Sequence, residues 1–293
     1  MRNRKSMAEK KILLLDKESI KKLHIKEIEI LDYIVNICSE NKLAYFLIGG
    51  TLLGSVRHKG FIPWDDDLDL AMPRRDFNIF IDICAKKTDN KFILHYGKTD
   101  KKYFLTHAKV RNKYTIYEQD TEQHYNYNIN KGVFVDIFPL DNAKKEKNLL
   151  QTFQAMSAKI VQITRRIKND FPFTRNIKIK KIVSKLLFFV DSFALLQLQE
   201  KIMQINKDDA SEYFVSLASH YSYKKQTIEK TRYFPARELE FEGKMYKVPN
   251  DYDYILKRIY GDYMKLPPEN KRIMHDPVKI ILDEDEFKRN EKI

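Results

Sequence analysis

Three aspartates pose the chemical question. In the run Trp64-Asp65-Asp66-Asp67-Leu68-Asp69-Leu70, the two-residue period of a strand puts Asp67 and Asp69 on one side and Leu68 and Leu70 on the core side. Two like charges held that close repel, and leaving both ionised in a half-buried strand is costly unless a cation sits between them. A hard divalent ion, Mg²⁺ or in its place Mn²⁺, is the natural occupant, because Mg²⁺ takes one or two carboxylates and fills its other positions with water and substrate phosphates. Asp136 is the expected third carboxylate. It stands alone between Val135 and Ile137 in the apolar stretch Gly132 to Pro139, where an ionised side chain needs a partner.

The second half of the chemistry lies just upstream. Phe46-Leu-Ile-Gly49-Gly50-Thr51 reads as a buried strand that ends in a glycine pair and runs into a short helix. Gly49 and Gly50 let the main chain approach a ligand closely, and N–H groups there and at the helix start suit an anion. Thr51 adds a hydroxyl. A phosphate cradle beside a metal site implies phosphoryl or nucleotidyl transfer.

Elements to position these groups are legible around them. Apolar residues recur at helical spacing from Ile20 to Cys38 and stop near Asn41, and Leu43 to Ile48 reads as a strand. After the acidic strand, Pro73 opens a helix whose stripe is Phe77, Phe80, Ile81 and Cys84. Residues 91 to 120 read as two or three short strands, one of which puts Lys109 and Arg111 on a shared face. From about 141 to 230 the chain reads as helical and polar. There Lys178 to Met203 forms a basic amphipathic pattern that suits either an anionic membrane surface or packing on the core. Residues 234 to 264 read as a hairpin around Gly243 followed by a helix, Tyr252 to Tyr260. The fold class is α+β, with a basic N-terminal segment 1–16, a catalytic core 17–142 and a mainly helical elaboration 143–293.

Composition narrows the class. Fifty-four basic against 41 acidic residues give a net charge of +13, which favours acidic partners, whether a phosphorylated substrate, an anionic membrane or nucleic acid. Cys38 and Cys84 are the only cysteines, each on an apolar helix face and with no metal-ligand spacing, so they read as core residues in a reducing compartment. No run approaches the length of a membrane span and Ile12 to Leu15 is too short for a signal-peptide core. The expectation is a cytoplasmic protein, peripheral to the membrane at most.

Gly49-Gly50-Thr51-Leu-Leu-Gly54, Arg57-His58-Lys-Gly60-Phe61-Ile-Pro63-Trp64 and Asp65 to Asp69 together resemble the signature of the LicD / fukutin family of nucleotidyltransferase-fold phosphotransferases. Lys109-Val-Arg111, Gly132 to Asp141, Phe241-Glu-Gly243 to Pro249 and Tyr260-Gly261-Asp262-Tyr263 are similar to it as well. The resemblance runs from about residue 25 to about residue 275 and is weakest between about 145 and 230. It implies a nucleotidyltransferase-like mixed β-sheet flanked by helices, with Asp67, Asp69 and Asp136 as catalytic metal ligands. It also implies that Lys109, Arg111 and Arg57 meet substrate phosphates, beside Gly49, Gly50, Thr51 and His58. Asp65 and Asp66 are expected to support the ligands. Asp136 or a water is the expected base. Among the histidines His58, His107, His124 and His275, the family-like segments favour His58 and His275. Trp64 serves either a base or choline or the anchoring of its loop.

The activity that the resemblance implies is transfer of phosphocholine from CDP-choline to a hydroxyl of lipopolysaccharide, teichoic acid, capsule or a lipid-linked precursor. CDP-glycerol and CDP-ribitol are alternative donors. A nucleotidyltransferase using an NTP is a further alternative, although no RNA-binding module is recognisable, and a non-catalytic polyanion- or membrane-binding protein is the option outside enzymes.

Overall fold

The computed structural model describes residues 15–87, 91–103, 105–119, 122, 129–144, 149–168, 189–207, 211–219, 221–272, 274 and 277–291. The architecture is α+β, as expected. Helix α1 (Lys17–Glu40) is capped by the Asp16 side chain and ends at Asn41. Strand β1 (Phe46–Leu47) feeds α2 (Gly49–His58), and β2 (Asp69–Pro73) leads into α3 (Arg74–Lys86). Three short strands follow: β3 (Phe92–His95), β4 (Ala108–Asn112) and β5 (Ile116–Gln119), before the long β6 (Phe134–Ala143).

The distal half comprises α4 (Leu149–Lys168), α5 (Ser192–Met203), β7 (Tyr213–Val215), α6 (Tyr223–Gln226), β8 (Ile228–Glu229), the hairpin β9 (Arg237–Phe241) and β10 (Lys244–Val248), α7 (Tyr252–Tyr260), β11 (Pro277–Ile281) and α8 (Glu284–Glu291). The main sheet runs β1-β2-β6-β4-β3, and β7 and β8 extend it from the distal end of β6. Strands β2 and β6 are parallel, and the other pairs are antiparallel. The sheet is therefore mixed.

Several expectations need correction. The acidic strand opens at Asp69, not Asp67, because Ile62 to Asp65 closes a turn, with the Asp65 N–H donating to the Ile62 carbonyl at 2.8 Å. The face alternation survives in the loop: Asp66, Leu68 and Leu70 are buried while Asp67 and Asp69 are half-buried. Strand β1 is two residues long, since the chain enters α2 at Gly49. Pro73 ends β2 and caps α3 instead of opening its first turn. The stretch 141–230 is not wholly helical, for β7 and β8 lie in it, too short to show a period. The expected boundary at 142 falls inside β6. Of the basic amphipathic pattern from Lys178, only Ser192–Met203 is described as a helix; Lys178, Lys180, Lys181 and Lys185 lie outside the described residues.

One continuous core joins α1, α2, α3 and the sheet, through Ile30, Leu31 and Ile34 of α1, Phe77 and Phe80 of α3, and Leu70, Val110, Val135 and Ile137 of the strands. Cys38 and Cys84 are both free and buried in it. A buried clamp ties the halves together. Arg74 at the start of α3 donates to Asp141 of β6 through Nε (2.6 Å) and Nη2 (3.1 Å), and through Nη1 to Glu200 of α5 (2.9 Å). Among the described residues, no helix is long and apolar enough to cross a membrane.

Candidate active site

Register assembles the carboxylates. Because β2 and β6 run parallel with Asp69 paired to Asp136, two acids nearly seventy residues apart share one edge of the sheet. Burial, then Asp67, Asp136 and Asp65, pushes the Asp69 carboxyl well above the usual range, with Lys109 opposing. Asp136 goes the other way. Its burial is outweighed by Lys109 and His107, which hold it below the ordinary carboxylate value. The Lys109 ammonium lies 2.8 Å from Oδ1 and 3.0 Å from Oδ2 of Asp136 and 3.3 Å from the centre of the Phe134 ring.

The glycine pair serves these acids. Gly49 sits at a positive φ of 59°, and a Cβ there would lie 2.9 Å from Asp69 Oδ2; a Cβ on Gly50 would lie 2.5 Å from Asp65 Oδ2. Only glycines let both carboxylates rest against the start of α2, whose positive end favours them. The Thr51 hydroxyl accepts the Asp69 N–H at 2.8 Å. The Gly49-Gly50-Thr51 motif therefore positions aspartates in this structure, where sequence reading assigned it to substrate phosphate.

Four more expected residues separate into two groups. Arg57, at the end of α2, donates from Nη1 to the Tyr263 carbonyl at 2.9 Å and lies near Asp65 and Arg272. His58 is next to it, and burial and Arg57 push the imidazole below its ordinary value, so it is neutral at pH 7. The Arg272 guanidinium covers the Trp64 ring at 4.7 Å, which gives Trp64 an anchoring contact. Arg57 and Arg272 thus make a cationic rim beside Asp65. Lys109 and Arg111 are instead turned inward. Arg111 is completely buried, pairs with Glu122 and donates to the Gly132 carbonyl at 3.0 Å. Arg111, expected to meet substrate phosphate, shares the face of Lys109 as its spacing implied, and here its guanidinium is taken up by Glu122.

Three further residues stand at the site: Glu27, which sequence reading passed over, His107, which it named without favouring, and Tyr260, which it quoted only as part of a family-like segment. Glu27 of α1 is buried, its Oε2 has no hydrogen-bond partner among the described residues, and burial followed by Asp67, Asp66, Asp65 and Asp69 raises its carboxyl well above the usual value. Nearby, the Tyr117 hydroxyl donates to Asp66. His107 stands 3.6 Å from Asp136 Oδ1 and stacks on Phe138. Tyr260 of α7 hydrogen-bonds Tyr221, and burial of its hydroxyl, then Tyr221, and last the charges of Asp69 and Asp65 raise its pKa. The three come from distant segments, although Glu27 left a signal, a carboxylate inside the apolar stripe of α1. His124 and His275 lie outside the described residues.

The donor set fits a divalent cation. Asp67, Asp69 and Asp65 crowd one another with Lys109 opposing them, so the cluster is short of positive charge. Among the described residues no three acid, cysteine or histidine side chains already converge on one point. An ion held by two of the carboxylates would draw its other ligands from water and substrate phosphate.

Comparison with known proteins places the chain in context. Residues 42–161 match the model for the LicD/FKTN/FKRP nucleotidyltransferase domain, the segment from before β1 to the middle of α4. The lipopolysaccharide cholinephosphotransferase LicD of Haemophilus influenzae is 31% identical over 268 residues, which span 87% of this chain and 97% of that protein. An uncharacterized protein of Rickettsia prowazekii is 48% identical over 40 residues, 14% of this chain and 15% of its own.

Proposed function

Since the chain belongs to the LicD/FKTN/FKRP family, we propose that it is a phosphotransferase that moves phosphocholine from CDP-choline to a hydroxyl of a cell-surface glycan, lipopolysaccharide or its lipid-linked precursor, with Mg²⁺ as cofactor. The observation that carries this reading is the match, along nearly its full length, to a lipopolysaccharide cholinephosphotransferase. The carboxylate pair on neighbouring strands supplies the chemistry.

In this reading Asp69 and Asp136, with Asp67 beside them, would hold the ion, and the chemistry it would supply when bound is neutralisation of charge on the donor's phosphates. The protein's own groups do the rest. Arg57 and Arg272 give the diphosphate a cationic rim. Lys109 keeps Asp136 ionised, so Asp136 can take the acceptor's proton. The acceptor oxygen forms a bond to phosphorus, the bond from phosphorus to CMP breaks, and CMP leaves with the negative charge. Tyr260, kept protonated, offers a hydrogen bond near Asp69.

Peripheral contact with an anionic membrane belongs to the same reading. It is supported by the net charge of +13 and by an exposed apolar stripe on α4, where Leu149, Phe153, Met156 and Ile160 all face outward.

The test uses purified protein, Mg²⁺, a glycan extract and CDP-choline, CDP-glycerol or CDP-ribitol in separate reactions, read by CMP release and mass spectrometry. The expected result is CMP release and a phosphocholine mass gain on the glycan with CDP-choline alone, absent from the Asp67→Ala/Asp69→Ala double variant. Transfer from a polyol donor instead would change the donor assignment. Pyrophosphate release from an NTP, with no transfer from any CDP donor, would replace the reading by nucleotidyl transfer.

A further inference from the structure

A cavity of about 580 Å³ opens between α4, Phe138 in the middle of β6, Leu105 and His107 before β4, and residues 216–219 and 221–223. It reaches the carboxylates at two points. His107, one of its walls, is 3.6 Å from Asp136. Tyr221, another, bonds to Tyr260, which senses Asp69 and Asp65. We propose that this cavity is the acceptor subsite and that it seats the sugar ring carrying the hydroxyl to be phosphorylated. The inference rests on the phosphotransferase reading and adds to it the location and chemistry of acceptor recognition.

The lining selects the ligand class. Phe138, Tyr221 and Tyr223 contribute aromatic rings, Thr152, Ser219 and Ser222 contribute hydroxyls, and among the described residues no carboxylate lines the cavity. Aromatic faces beside neutral hydrogen-bonding groups match a ring that is apolar on its C–H faces and hydroxylated at its edge.

The donor fits elsewhere. A nucleoside diphosphate carries charge that wants several cations. Among the described residues Lys159 is the one lysine or arginine that the cavity offers, whereas Arg57 and Arg272 stand beside Asp65. A quaternary ammonium would gain from the aromatics but be opposed by the same lysine. Met156 both lines the cavity and belongs to the exposed apolar stripe of α4. A sugar on a lipid carrier therefore has an apolar path out of the cavity.

Ala155→Trp, which fills the cavity from α4, and the gentler Thr152→Val test the assignment, with thermal melts confirming that each folds. Steady-state kinetics with CDP-choline and glycan should show the acceptor KM rising about tenfold for Ala155→Trp and about threefold for Thr152→Val, with donor KM within about twofold of the parent. A rise in donor KM instead, or no change in either, would overturn it. Saturation-transfer NMR with deacylated lipopolysaccharide oligosaccharide and no donor separates the two levels. An oligosaccharide signal present with the parent protein and abolished by Ala155→Trp supports the subsite even if no CDP donor reacts. The same signal undiminished in that variant, or none with the parent protein, counts against it.

Discussion

Helices α1 and α4 are of similar length, 24 and 20 residues, and turn opposite chemistry toward the protein. Helix α1 buries Leu23, Ile30, Leu31, Ile34 and Ile37, and breaks that stripe once, with Glu27 facing the aspartates. Helix α4 buries Gln151, Gln154 and Arg165 and exposes Leu149, Phe153, Met156 and Ile160. Its polar face is hydrogen-bonded at several points. Gln151 Nε2 donates to Thr227 Oγ1 at 3.0 Å, Gln154 Nε2 to the carbonyls of Ile202 and Met203 at 2.9 and 3.0 Å, and Arg165 Nη1 to Gln199 Oε1 at 2.8 Å. The first helix is held by the hydrophobic effect, the second by hydrogen bonds, each of which is worth only about 0.5–1.5 kcal/mol net. One builds a rigid wall behind the carboxylates. The other leaves an apolar face free for a surface outside the protein.

The largest effect that would sharpen this contrast comes from the sheet that α1 backs. Charges there are buried in pairs, so Arg111→Met strands Glu122, which is 3% exposed. Removing one partner of a buried ion pair costs about 3–5 kcal/mol, and urea unfolding should show a loss of that size. Donor KM in the folded fraction should stay near the parent value. A variant as stable as the parent with a weakened donor KM would return Arg111 to the substrate.

What was legible divides along the same line. The shared face of Asp67 and Asp69, the burial of Asp136, the helix after Gly49-Gly50 and the β9–β10 hairpin were readable because each depends on local period or on a motif within one stretch. Arg111 shows the limit: alternation fixes the face of a side chain but not who waits there. Glu27 was readable in principle, since a lone acid inside an apolar stripe needs a reason. The place of His107 beside Asp136 and the cavity were not readable, because the first depends on the β4–β6 register and the second on walls from α4 and a loop some sixty residues later. The inward polar face of α4 also defeats a rule that assigns apolar residues to the core.

Glu27 gives the next effect in size. Its folded-state pKa is raised above the ordinary value, 4.5, so the fold binds its proton more tightly than the unfolded chain does. That contribution is complete below the unfolded pKa and is lost as pH rises through the folded one. Glu27→Gln keeps the protonated shape at every pH. Melting curves without metal should place the variant a few degrees above the parent at neutral pH, a gap that closes as pH falls toward the ordinary carboxylate range. A variant less stable than the parent at pH 7 would mean that the ionised form of Glu27 is held by a partner.

The smallest expected effect on stability is the one that most directly breaks the comparison. Phe153 and Ile160 are 72% and 61% exposed, so replacing both by glutamate removes little packing within the fold, and surface changes of this kind usually stay within about 0.5 kcal/mol. The same double substitution in the stripe of α1, at Ile30 and Ile34, would put two charges into the core and unfold the protein. Sedimentation with anionic vesicles then tells what α4 faces. The parent protein should bind at low salt, by apolar insertion of the stripe and attraction of a chain with net charge +13 to acidic headgroups. Phe153→Glu/Ile160→Glu should melt at the parent temperature and stay in the supernatant. Binding that survives the substitution would move membrane contact to another surface. A large drop in melting temperature would show that the stripe is covered by the protein itself, and α4 would then be a helix buried on both faces.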